Sequence, residues 1–393
     1  MSVSSLGVQA DSASLGTWIS GDGRYVAFSS EASNLVPGDT NAWPDAFVRD
    51  RRAGTTSRIT VSSTGAQANG DSFVTSMSPD GRYVAFQSYA SNLVPGDTNG
   101  GDAFVRDLRT GMTNRVSLSG RGVQGNEGSS FPKLSNDGRY VAFLSGASNL
   151  VPGDTNQLED IFVRDRLAGI TRRVSVSTSG AQANDYSHVV NISGSGRYIT
   201  FVTSASNLVS GDTNGESDVF VHDLRAGTTS RVNVSTSGAQ ANSPTYDAAI
   251  SGDGRYITFG SRASNLSPAD TNGVSDVFVR DLRTGTTSRV DTSGRGGPIS
   301  AGISDPAISA DGRHIAFRSS TGDSTDEVFV HDRRAGITRR VTVADDGGQA
   351  NGSNYQLAVS ADGRSVSFSS NASNLVPDDT NNTWDVFVRT RTG

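Results

Sequence analysis

A turn ending in Gly-Arg recurs along this chain, with its glycine at Gly23, Gly81, Gly138, Gly196, Gly254, Gly312 and Gly363 and successive gaps of 58, 57, 58, 58, 58 and 51 residues. No other feature restricts the fold so strongly. Each of the seven copies carries four β-like runs and is too small to form a core alone. Packing neighbours around a closed ring buries what one copy leaves exposed. The 393 residues therefore read as one domain, 1–393, although length alone suggests two or three. The fold class that follows is all-β: a seven-bladed β-propeller with four antiparallel strands per blade.

The second copy shows the unit. Phe73 to Ser78 alternates as a first strand (A), Asp80-Gly81 makes a tight hairpin turn, and Arg82 to Ser88 is a second strand (B). A long loop, Tyr89 to Gly101, leads to strand C at Ala103–Asp107, and Arg109-Thr110-Gly111 turns into strand D at Asn114–Ser119. This connectivity puts the short A–B and C–D turns on one face of the disc and the long B–C loops and D–A connectors on the other. The loop-rich face is the one expected to carry function. The last copy stops after its strand C, while residues 1–11 match a strand D and connector such as Val174 to Asn184. The N-terminal strand is thus expected to complete the last blade, a 3+1 closure that removes two open edges.

Composition excludes several functions. Net charge is −6 and the arginines are spread singly over equivalent turns, which leaves no basic surface for nucleic acid. Cysteine is absent, so disulfides, thiolate metal sites and a cysteine nucleophile are excluded. Lysine occurs once, at Lys133, and the near-exclusive use of arginine reads as the codon bias of a GC-rich bacterial genome. No apolar run approaches the ~18 residues of a membrane span. The opening MSVSSLGVQA has neither a charged nor an apolar leader region. It reads as the start of a mature secreted or periplasmic chain, expected to be a monomer.

Copies of the form S-x-D-G-R-Y-V-A-F, followed by D-V-F-V-R-D and T-G-T-T, resemble the TolB-type, WD-repeat-like propellers of bacteria over essentially the whole chain. TolB's extra N-terminal domain has no counterpart in this sequence. The resemblance implies a propeller and, more remotely, a protein-docking role. Related propellers also serve as non-catalytic halves of peptidases and as polysaccharide lyases.

Two patterns carry candidate chemistry. The B–C loops repeat Asp-Thr-Asn-Gly-x-x-Asp as Asp39/Asn41/Asp45, Asp97/Asn99/Asp102, Asp154/Asn156/Asp160, Asp212/Asn214/Asp218, Asp270/Asn272/Asp276 and Asp379/Asn381/Asp385. Oxygen ligands at this spacing suit a hard cation such as calcium. The competing explanation is that these side chains only cap turns through the backbone. Six calcium sites of ~0.1 mM affinity would together add on the order of 8 kcal/mol at ~1 mM calcium, so chelation separates the two. Copy six departs from the pattern between Ser319 and Asp326.

The second pattern is variation at the loop-rich end of strand A, around the mouth of the central channel. Five residues before the conserved serine stand Leu15, Phe73, Ser130, His188, Tyr246, Ser304 and Tyr355; one residue later stand Gly16, Val74, Phe131, Val189, Asp247, Asp305 and Gln356. Phe73, Phe131, His188, Tyr246, Asp247, Asp305 and Tyr355 are the ligand-binding candidates, set against drifted packing between blades. A non-catalytic propeller binding a protein, peptide or polysaccharide is the leading expectation. A lyase or hydrolase using His188 and Tyr246 is the alternative, and a structural module of a larger secreted protein is a third. The G-x-G-x-x-G at Gly120 joins two strands with no helix to receive a phosphate. Arg24, Arg82 and their equivalents are expected to bridge neighbouring blades.

Overall fold

A computed structural model of the chain describes residues 1–268, 270–290, 302–320 and 325–391. Twenty-seven strands, β1–β27, form seven antiparallel sheets, and the described residues contain no helix. In blade two β5 (Ser72–Met77), β6 (Tyr83–Ser88), β7 (Asp102–Asp107) and β8 (Met112–Arg115) lie in that order. The innermost strands of the other blades are β1 (Ser14–Ile19), β9 (Ser129–Leu134), β13 (Ser187–Ile192), β17 (Thr245–Ile250), β21 (Ile303–Ile308) and β25 (Asn354–Val359). Each touches the next, and β25 touches β1, so the seven enclose a central channel. The seven-bladed reading holds.

The ring is held by what the repeat places inside it. Each B strand sets a phenylalanine against one from its C strand: Phe86 and Phe104 stack with centroids 5.4 Å apart, and all seven blades repeat the pair. The cores lie between blades. Ala46, Ile59 and Ala68 of blade one pack with Val84, Phe86 and Leu93 of blade two. No copy owns a complete core, which is why the units close into a ring.

Local details differ from the sequence expectation in three places. Strand D is shorter and earlier, ending at Arg115, because the Ser117 hydroxyl donates to Asp102 at 2.5 Å and draws the chain across the sheet end. The A–B turn is not a two-residue reversal: among its residues only Gly81 has positive φ (70°), its N–H donating to Ser78 O at 2.8 Å, while the Ser78 hydroxyl donates to Asp80 at 2.5 Å. The arginine after that turn pairs within its own blade. Arg82 donates to Asp107 at 3.1 and 2.7 Å, because the β6–β7 register sets Tyr83 opposite Asp107.

The N-terminal segment closes the ring on the seventh blade. That blade's sheet comprises β25, β26 (Ser365–Ser370) and β27 (Asp385–Thr390). The Met1 ammonium donates to Val386 O, and the Ser2 hydroxyl donates to Asp385 at 2.5 Å while accepting from Val386 N–H. Ile59 and Thr60 make the same contacts on Ala46 and Asp45 in blade one.

Candidate functional site

The two faces separate as expected. Turns A–B of adjacent blades bond to one another, as in Gly194 N–H to Gly252 O at 2.9 Å. On the other face, among the described residues, D–A connectors are stitched between two B–C loops. The Gln67 side chain donates to Asp39 at 2.8 Å, and the Gln67 carbonyl accepts from Asn92 of the next blade at 2.8 Å. This belt cross-links the loop-rich rim.

The repeated aspartates do converge, around a guanidinium. Arg58 stands 3.0 Å from Asp39 and 3.1 Å from Asp45. Arg115 lies 3.0 Å from both Asp97 and Asp102, and Arg173 lies 2.9 and 3.1 Å from Asp154 and Asp160. Arg231 repeats the clamp on Asp212 and Asp218, at 3.5 and 3.1 Å, and Arg289 on Asp270 and Asp276, at 3.7 and 2.6 Å. In blade six Glu327 meets Arg340 at 2.9 Å; residues 321–324 of that loop lie outside the described residues. In blade seven Gln9 donates to Asp379 and Asp385 at 2.8 and 3.3 Å.

Asp276 departs most clearly from the expected cation ligand. It is fully buried at the first position of β19 (Asp276–Asp281), where its carboxylate accepts from Asn272 at 2.9 Å and pairs with Arg289. The physical reason is register. Strand β20 (Thr286–Arg289) sets Arg289 opposite Phe278, two residues beyond Asp276 on β19, so the guanidinium reaches the carboxylate at the sheet end. The aspartate read as a loop ligand is therefore a partner of its own sheet.

The asparagines bond both to the last aspartate of their loop, as Asn41 does to Asp45 at 3.3 Å, and to the backbone. Asn41 donates to Ala68 O at 2.8 Å, and its own carbonyl accepts the N–H of Trp43 two residues on, a contact repeated at Asn156, Asn214, Asn272 and Asn381; Asn99 donates to Gly125 O. Burial pushes the carboxyls of Asp39, Asp154, Asp212 and Asp218 upward, and Asp102 up to about 6, against the pull of the arginines. A dication seated between the carboxylates of blades one to three would face a guanidinium that already holds both. Among the described residues no group of three or more His, Cys, Asp or Glu is placed to hold a metal. The geometry supports internal ion clamps and turn capping. The strand-D arginines that make the clamps were missed, although each stands 13 residues after the last aspartate of its loop.

At the channel mouth every innermost strand carries a register shift against its neighbour, the mark of a β-bulge. The positions singled out for their variability sit on it. Gly16, Phe131, Val189, Asp305 and Gln356 have φ between 39° and 66°. Left-handed backbone at bulky residues such as Phe131 and Val189 is uncommon and re-aims side chains.

Blades one, two, three and seven there enclose a cavity of ≈ 350 Å³ lined by Leu15, Phe73, Phe131 and Tyr355, with Trp18 and Lys133 also in its wall. Phe131 is 52% and Tyr355 45% exposed. Trp18 and Lys133 were absent from the sequence-derived set. They share one strand position, whose occupants around the ring are Trp18, Ser76, Lys133, Asn191, Ala249, Ala307 and Ala358. That variation was the available signal.

The remaining candidates lie apart. Tyr246 and Asp247 line a separate recess of ≈ 310 Å³ with Ser304. Asp247 accepts the N–H groups of Gly260 (2.8 Å) and Asp305 (2.9 Å), and burial raises its pKa. Asp305 pairs with Arg318 at 2.9 Å, and Arg318 also holds Asp326 at 2.5 Å and lies over the Tyr355 ring. These aspartates brace the rim. His188, its pKa lowered by burial, lines neither of these two recesses, whereas Tyr246 lines the second.

No family model matches the sequence, and no curated protein matches it. Solved structures do. An oligogalacturonate lyase in complex with manganese is similar over 98% of this chain and 91% of its own, with a TM-score of 0.61 and 12% identity. The propeller domain of the Trilobed protease from Pyrococcus furiosus covers 96% and 95%, with a TM-score of 0.57 and 10% identity. TolB from Acinetobacter baumannii covers 85% and 79% at 14% identity, with a TM-score of only 0.44. At these identities the likeness establishes the seven-bladed propeller and does not select among its functions.

Proposed function

We propose that this propeller is a secreted or periplasmic binding module that engages a partner on its loop-rich face and performs no chemistry itself. The observation that carries the reading is the ≈ 350 Å³ cavity, formed where otherwise uniform blades differ from one another. Its size suits a ligand site, and its wall of Leu15, Trp18, Phe73 and Phe131 is apolar. Such a lining favours a peptide or protein segment over a polysaccharide, whose hydroxyls need polar partners. The stitched belt of connectors and loops holds the rim in place, which lowers the ordering penalty on binding.

The test is a screen of immobilised peptides and glycans with the wild type, a Phe131→Ser/Tyr355→Ser double variant, and Leu167→Ser, whose side chain is 80% exposed on the opposite, C–D turn face. Peptide hits lost in the double variant and kept in Leu167→Ser support the reading. Hits that survive the double variant, or that vanish with Leu167→Ser, overturn it.

A further inference from the structure

Lys133 is the chain's one lysine, and it lines both the mouth cavity and the ≈ 280 Å³ channel segment beneath it. Its Nζ donates to Thr75 O at 2.8 Å and stands 3.9 Å from the centre of the Trp18 ring. An ammonium has three donors. The carbonyl takes one and the indole face engages the charge. Among the described residues no carboxylate pairs with it. Glu31 and Tyr355 are the other titratable side chains on the cavity wall, and the channel segment below is lined by uncharged groups. Loss of hydration lowers the Lys133 pKa to about 7. A cation so placed, beside a largely apolar cavity wall and in no ion pair among the described residues, is an incomplete electrostatic pair.

Resting on the binding reading above, we propose that the mouth cavity recognises a carboxylate carried on an apolar body, with Lys133 as its counter-charge. The carboxylate is the C-terminus of a peptide or that of a free amphipathic acid; the two share this chemistry. Trp18, Phe73 and Phe131 take the apolar portion. A single amine neutralises one negative charge, which favours a carboxylate over a phosphate or a dicarboxylate.

Calorimetric titration of the full chain with N-acetylphenylalanine, its amide and 4-phenylbutyrate tests this, using the wild type and Lys133→Met. Both proteins have an apolar cavity, and only one has the charge. The acids are expected to bind the wild type roughly tenfold or more tightly than the amide, and Lys133→Met to lose that preference. The tighter of the two acids identifies the source of the carboxylate. Equal affinity for acid and amide in the wild type, or an intact preference in Lys133→Met, would overturn the carboxylate assignment while leaving the cavity as a site. Absence of binding by all three compounds would contradict the cavity itself.

Discussion

A Cβ added to Gly81 would lie 2.3 Å from Cδ2 of Tyr25, in the preceding blade. The same approach recurs from Tyr83 to Gly138 and from Tyr140 to Gly196. The turn glycine therefore does two things. It supplies a positive φ, and it leaves room for the neighbouring blade's aromatic ring.

Gly81→Ala is expected to destabilise the protein by about 2 kcal/mol or more, since it adds both backbone strain and a clash. Gly100, in a B–C loop, has nothing within 4 Å of the added atom and no positive φ. Gly100→Ala should stay within about 0.5 kcal/mol of the wild type. Urea denaturation of both variants checks the contrast.

The ion clamps make a second prediction. Arg115 is 8% exposed and holds Asp97 and Asp102 together. Arg115→Ala leaves two buried carboxylates facing each other and should lower stability by about 3 kcal/mol. Chelation of divalent cations should leave the melting temperature of the wild type unchanged. A drop on chelation that calcium restores would favour the cation explanation of the Asp-Thr-Asn-Gly loops.

Two sets of carboxylates act in opposite directions as pH changes. Arg24, Arg82 and Arg139 hold Asp50, Asp107 and Asp165 down at about 2, below the unfolded value near ~3.9. The native state then binds fewer protons, so this stability is present above ~4 and lost as pH falls through about 2. Burial raises Asp39, Asp154, Asp212 and Asp218, and takes Asp102 to about 6. There the native state binds more protons, and stability declines as pH rises from ~4 through about 6. Scanning calorimetry should find the highest melting temperature near pH ~4 and a steep loss between ~4 and ~2. A melting temperature that keeps rising from pH 5 to 8 would contradict this.

Lys133 should burden the fold. A lysine whose pKa is lowered by burial is less favourable folded than unfolded at neutral pH. Lys133→Met, similar in length and apolar, is expected to raise stability by an amount of order 1 kcal/mol at pH 7. Destabilisation in a thermal melt would show that the amine holds the channel together.

The fold was legible because the period, the apolar strand runs and the turn glycines all repeat, and repetition averages out local ambiguity. Phe86 and Phe104 sit in runs that recur in every copy, and seven copies make the ring unavoidable. The candidate site was legible only in part, for the opposite reason: it lies where the copies disagree. Phe73, Phe131 and Tyr355, which line the mouth cavity, stood out because their variation is obvious. Trp18 and Lys133, one residue from a uniform position, were passed over, and the lone lysine read as codon bias. The acidic loops were read without their arginines because these come from strand D, as Arg58 does for Asp39 and Asp45 and Arg289 for Asp276. Spacing within a loop cannot reveal a partner that the sheet register delivers.

Because Lys133 is the only lysine, lysine labelled with carbon-13 at Cε gives one side-chain resonance, and its titration by NMR reads the proposed site without interference. The predicted result is a midpoint near 7 in the free protein, moving upward by more than about one pH unit on saturation with 4-phenylbutyrate, as a bound carboxylate stabilises the ammonium. An ordinary lysine titration above 10, unmoved by the ligand, would contradict the account.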